Sequence, residues 1–216
     1  MTFLKWIALA GQAEVDGVEA HPRFLESLES AYLRRVRQEA AARNLKVAML
    51  VGSSVTEGIP ATRKMLQVAA ELGARLLRIL PGPDARSVID GIHELLPYAE
   101  STSVVMVVEN PSGMAILEGV KSPWLKIQVD PLAAAGEDPG PLVEKVLPRL
   151  AALRVVDRSP VDYDRIFSML AGAGFDGWVI LEGGEGDTVE KGLENLREGV
   201  RSLRVRLARH FPKAKP

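Results

Sequence analysis

The sequence predicts an α/β chain closed as a TIM-type (β/α) barrel, and three observations carry that prediction. Strand and helix patterns alternate from one end to the other, seven strands are short and apolar throughout, and most of those strands end on a charged residue. Unbroken apolar strands belong to a parallel sheet covered on both faces, and parallel strands need a helical crossover between them. A doubly wound open sheet is the alternative arrangement. No Gly-x-Gly-x-x-Gly follows a strand to support a nucleotide-binding version of it.

Taken in order, Phe3, Leu4, Ile7, Ala8 and Gly11 recur at helical spacing, so the chain begins on a helix over 2–14. Asp16 to Glu19 is a first strand, stopped at His21-Pro22, and Pro22 suits a helix start. Leu25, Leu28, Tyr32 and Val36 make one stripe of a helix over 23–44, with Asn44 as a left-handed stop. Leu45 to Val51 is a strand. The polar loop from Gly52 leads to a helix that opens at Pro60 and ends at Leu72-Gly73.

Arg75 to Leu80 is the next strand, broken by Pro81-Gly82-Pro83, and Val88, Ile92 and Leu95 mark the helix after it. Ser103 to Val108 is strand, 113–119 a short helix, and Trp124 to Val129 strand again. Leu142, Val146 and Leu150 share helical spacing, Leu153 to Val156 is strand, and 161–173 is helix. Gly172 and Gly174 can close that helix, Asp176-Gly177 turns the chain, and Trp178 to Leu181 is an apolar strand expected to be covered on both faces. Val189, Leu193, Leu196, Val200 and Leu203 mark a last long helix. The eighth strand of a full barrel should precede the first helix, where only Met1 stands, so the first strand is expected to be missing or shortened.

Composition bounds the function. The 216 residues, 47% of them hydrophobic, suit a single domain over 1–216 with a substantial core. With 27 basic and 28 acidic residues the charge nearly balances, which argues against a nucleic-acid surface or a polybasic membrane patch. There is no cysteine, so disulfides, thiolate nucleophiles and zinc-cysteine sites are excluded. No apolar run approaches the ~18 residues of a membrane span and no signal peptide is recognisable, so the chain is read as soluble and cytoplasmic.

In a (β/α) barrel, chemistry sits at the carboxyl ends of strands. Those ends hold Glu19, Arg78, Glu109, Asp130, Arg154 and Glu182, with His21 just past the first strand. Three convergent carboxylates repel one another unless a divalent cation or arginines compensate them, and oxygen ligands of this kind suit magnesium or manganese. His93, on an outer helix, and His210, near the end, are poorly placed for such a site. Gly183 to Gly186 stands where barrels commonly bind phosphate, but Glu185 and Asp187 make it a poor anion cradle.

Val15-Asp-Gly-Val-Glu19, Arg78-Ile-Leu-Pro-Gly82, Val108-Glu-Asn110, Val129-Asp130 and Gly174-Phe-Asp-Gly-Trp-Val-Ile-Leu-Glu182, in this order, resemble the sugar phosphate isomerase/epimerase superfamily of xylose isomerase-like barrels. The resemblance implies a divalent metal (manganese, magnesium or zinc) held by Glu109, Asp130, a histidine and Glu182. It also implies Glu109 and Glu182 as acid and base and a carbohydrate or carbohydrate phosphate as substrate; Arg78 and Arg154, from their own places, are read as contacts to an anionic substrate or as neutralising the carboxylates, and His21 as a ligand contact or a plain loop histidine. The histidine ligand of the metal is absent: its segment reads Arg154-Val-Val-Asp157, which places a fixed cation where the metal ligand is expected. The functions expected are therefore a metal-dependent isomerase or epimerase or, alternatively, a catalytically degenerate barrel that binds a small molecule or serves structurally. The open sheet edges left by a missing strand further predict a homodimer.

Overall fold

A strand buried on both faces needs apolar side chains in both alternating sets, and β3, β4 and β6 of the computed structural model are built this way, whereas β5 sets Lys126 and Gln128 on one face. The structure describes residues 2–55, 58–80, 82, 84–134, 138–157 and 159–211. Met1, residues 56–57 of the polar loop, Pro81, Pro83, residues 135–137, Arg158 and residues 212–216 lie outside the described residues. Two compact units divide the chain, 1–127 and 128–216.

The first unit runs α1 (Phe3–Ala10), β1 (Gly17–Ala20), α2 (Ser30–Ala41), β2 (Lys46–Ser54), α3 (Ile59–Leu72), β3 (Leu76–Leu80), α4 (Ala85–Thr102), β4 (Val105–Glu109) and α5 (Gly113–Gly119), and reaches into β5 (Leu125–Val129). β1 pairs with β2, β2 with β3 and β3 with β4, all parallel. The helices pack one stripe each. α3 buries Met65, Leu66, Val68, Ala69 and Leu72, and α4 buries Val88, Ile92, Leu95 and Ala99. Each of the valine, leucine, isoleucine and methionine side chains among them contributes about 1.5–3 kcal/mol relative to exposure, and the alanines less.

The second unit holds α6 (Gly140–Val146), β6 (Leu150–Val156), α7 (Tyr163–Gly172), β7 (Trp178–Glu182) and α8 (Val189–His210), with β6 and β7 parallel. α7 inserts Tyr163, Ile166, Phe167 and Leu170, and the hydroxyl of Tyr163 accepts the backbone N–H of Val156 at 3.0 Å, which ties the helix start to the end of β6. Between α7 and β7, Gly174 takes φ +67° as the left-handed stop, and a side chain at Gly177 would overlap the carbonyl oxygen of Ala151. The seven strands are hydrogen-bonded in chain order, β1 to β7, as in a TIM-type (β/α) barrel.

Several boundaries differ from the sequence expectation. Pro22 opens only a short 3-10 turn, Pro22–Phe24, and the helix proper begins at Ser30, so α2 buries Leu33, Val36 and Ala40 rather than the Leu25–Leu28 stripe. Leu150 begins β6 instead of ending a helix. Pro148, which has no N–H to donate, stands in the 3-10 turn Leu147–Arg149 that separates the two elements. β7 is apolar as expected, yet Trp178, Val179, Ile180 and Leu181 are all half-buried and Glu182 is exposed. The expected stripe of α8 narrows to Leu196, Gly199 and Val200, with Val189 and Val205 exposed.

Candidate active site

Register decides which charged side chains meet. On β3 and β4, Arg78 stands opposite Val107, so Glu109, two residues further along β4, lies on the same face as Arg78. Arg78 Nη1 accordingly comes within 3.8 Å of Glu109 Oε1, an ion pair longer than a hydrogen bond. On β6 and β7, Arg154 stands opposite Ile180 and Val156 opposite Glu182, the same offset. Here Arg154 Nη1 donates to Glu182 Oε2 at 3.0 Å. Both arginines thus sit two residues before their strand ends rather than at them, and each leans toward the glutamate that closes the next strand.

The two pairs differ in exposure. The side chains of Arg78 and Glu109 are 14% and 26% exposed; those of Arg154 and Glu182 are 18% and 58%. His21, just after β1, accepts the backbone N–H of Arg23 at its Nδ1 (3.2 Å) and packs its ring edge-on against Phe24. Burial first, then the charges of Arg23 and Arg78, hold its pKa below the ordinary histidine value of 6.5. With Nδ1 accepting, the neutral ring carries its proton on Nε2 and can donate there.

Asp130, directly after β5, caps the 3-10 turn Pro131–Ala134 through Oδ1, which accepts the N–H of Leu132 at 2.9 Å. With Arg154, Glu182, Asp157, Gly184 and Glu185 it lines a cavity of about 510 Å³ in the second unit, a volume in the range of small-ligand sites. Asn195 of α8 lines it too and donates to the backbone carbonyl of Glu185, fastening the loop after β7. Asp157, Glu185 and Asn195 had no site role in the sequence reading. Asp157 belonged to the quoted Arg154–Asp157 segment and was the readable signal; a cavity-lining residue on a long helix gives none.

The residues fit a metal ion poorly. Among the described residues no group of three or more histidines, aspartates and glutamates is arranged to hold one. Two of the three expected carboxylate ligands, Glu109 and Glu182, carry an arginine instead. A divalent ion ~5 Å from the Arg154 guanidinium would be repelled by roughly 6 kcal/mol at an effective dielectric near 20.

A family model described as the xylose isomerase-like TIM barrel matches residues 7–205. No curated protein matches the sequence. Among solved structures, D-psicose 3-epimerase in the presence of D-fructose is similar over 96% of this chain and 94% of its own, with 15% identity and a TM-score of 0.82. D-psicose 3-epimerase with D-tagatose, from Clostridium cellulolyticum H10, is similar over the same shares, with 12% identity and a TM-score of 0.83. A 3-keto-D-glucoside 4-epimerase from E. coli shows 16% identity and a TM-score of 0.71 over 94% of each chain. At these identities the likeness speaks for the fold.

Proposed function

From a chain that belongs to the xylose isomerase-like TIM barrel family, we propose a sugar isomerase or epimerase that moves a proton on the carbon beside a carbonyl. The observation that carries this reading is the Arg154–Glu182 pair at the rim of the cavity, hydrogen-bonded at 3.0 Å with a glutamate 58% exposed. A carboxylate open to the cavity can take a proton from the substrate carbon. The bond electrons then move onto the carbonyl oxygen, and the neighbouring guanidinium stabilises the charge that collects there. Passage of the adjacent hydroxyl's proton to that oxygen, and return of the carbon-bound proton from Glu182 to the adjacent carbon, complete an isomerisation with Glu182 as the one carbon base. An epimerisation returns a proton to the opposite face of the same carbon and needs a second proton donor besides Glu182.

The substrate we assign is an unphosphorylated carbohydrate. Asp130, Asp157, Glu182 and Glu185 around one arginine suit hydroxyl donors and repel a phosphate. The family's metal is not written into this scheme, because the arginines occupy the carboxylates that would hold it.

A second reading, a sugar-binding barrel without turnover, draws on the same pairs, since a carboxylate engaged by arginine is a weaker base. The experiment separates them. D-fructose is incubated with the protein in heavy water and followed by NMR, with calorimetric titration of the same sugar alongside. Deuterium entering beside the carbonyl supports the isomerase, and binding without exchange supports the binding protein. Neither binding nor exchange would remove the carbohydrate reading.

A further inference from the structure

We infer that the β6–β7 cavity works without a divalent cation, the Arg154 guanidinium serving as its built-in positive charge and as the group that holds the ligand's oxygens. This deepens the isomerase reading and rests on it for the identity of the ligand. Arg154 is anchored mid-strand with its side chain 18% exposed, and its Nη1 is 3.0 Å from Glu182 Oε2. A guanidinium keeps its charge in proteins and offers no lone pair. Any metal ion bound through Glu182 would therefore have to break that pair while a full positive charge remained beside it.

The arrangement is not confined to one pair. β3 and β4 use the same register offset to set Arg78 against Glu109, so two strand pairs each place an arginine on the terminal glutamate of the next strand. In a metal site those glutamates would be ligands of the ion. Here they orient cations that belong to the chain. A planar guanidinium suits two adjacent oxygens, such as a sugar carbonyl and its neighbouring hydroxyl, through paired N–H donors.

Calorimetry on the full chain tests this with manganese alone and with D-fructose, the sugar being titrated once with EDTA and once with manganese. The parent should give no manganese isotherm at micromolar protein. Arg154→His, which supplies a neutral nitrogen beside Asp130 and Glu182, should bind manganese at least tenfold more tightly than the parent. D-fructose should bind the parent with the same affinity in both buffers, and Arg154→Lys, which retains charge but loses the fork, should weaken it about tenfold. Stoichiometric manganese binding by the parent, as tight as in Arg154→His, overturns the inference, and the parent titration decides alone should the variant not fold. Sugar binding that requires manganese also overturns it, while leaving the carbohydrate reading in place. Failure of the sugar in both buffers with manganese refused sinks the carbohydrate reading and leaves the metal-free arrangement standing.

Discussion

Arg78 and Arg154 occupy equivalent register positions, yet removal of their partners should have unequal consequences. Arg78 Nε and Nη1 are buried with no hydrogen-bond partner among the described residues, and Glu109 compensates the charge from 3.8 Å. Glu109→Gln leaves a largely buried guanidinium without that compensation and should cost about 1–2 kcal/mol in urea unfolding. Glu182, 58% exposed, lets water replace it, so Glu182→Gln should cost only a few tenths of a kcal/mol. Equal losses would mean that exposure does not govern these pairs. His21 gives a second check at this scale. Its depressed pKa favours the neutral ring, so its contribution to stability is fully present above pH 6.5 and is lost as pH falls through the lower folded value. NMR of the folded protein should show His21 titrating below 6.5 with the neutral proton on Nε2; a proton on Nδ1 contradicts the acceptor role toward Arg23.

Secondary-structure elements carry two further expectations and show where sequence reading succeeds. Gly174, at φ +67° with nothing within 4 Å of a built Cβ, isolates backbone strain from crowding. Gly174→Ala should therefore cost about 1 kcal/mol, measured by denaturant midpoint, with no change in the burial of α7. The far end of α8 is tied to α7 by Asp164, which accepts from Arg206 Nη2 at 3.1 Å and lies 3.1 Å from His210 Nε2. The bond to His210 first, and Arg206 after it, hold the Asp164 carboxyl below its ordinary value of 3.8. The linkage contributes stability above pH 3.8 that disappears as pH falls through the folded value, so Asp164→Asn should be less stable than the parent at pH 7, with the difference shrinking as pH falls below 3.8. Apolar runs and Gly-Pro punctuation made these elements legible, β7 and the Gly174 stop above all. Leu150 misled because it continues an i, i+4 series, although Pro148 two residues earlier removes a helical N–H donor and marks the break that the 3-10 turn makes.

Across the whole molecule, seven strands in chain order were readable because parallel strands need apolar faces and helical crossovers, and both leave periodic traces. That Arg78 and Arg154 would compensate strand-end carboxylates was readable from their places in the chain; which arginine meets which glutamate was not, since register between strands distant in sequence leaves no such trace. What remains is the exposure of the last strand. Leu150, Ala151, Ala152 and Leu153 of β6 are buried, whereas the apolar Trp178, Val179, Ile180 and Leu181 beside them on β7 are only half-buried, and β7 is terminal in the strand order. A parallel strand is ordinarily covered on both faces, and a terminal one also presents unpaired backbone groups. A second copy of the chain would cover this strand, and we expect a homodimer by light scattering at micromolar protein. Dilution toward the monomer should raise the acrylamide quenching of Trp178 fluorescence, measured with Trp6 and Trp124 replaced by Phe. A monomer at micromolar concentration, or quenching that does not change with dilution, would show that β7 tolerates its exposure without a partner.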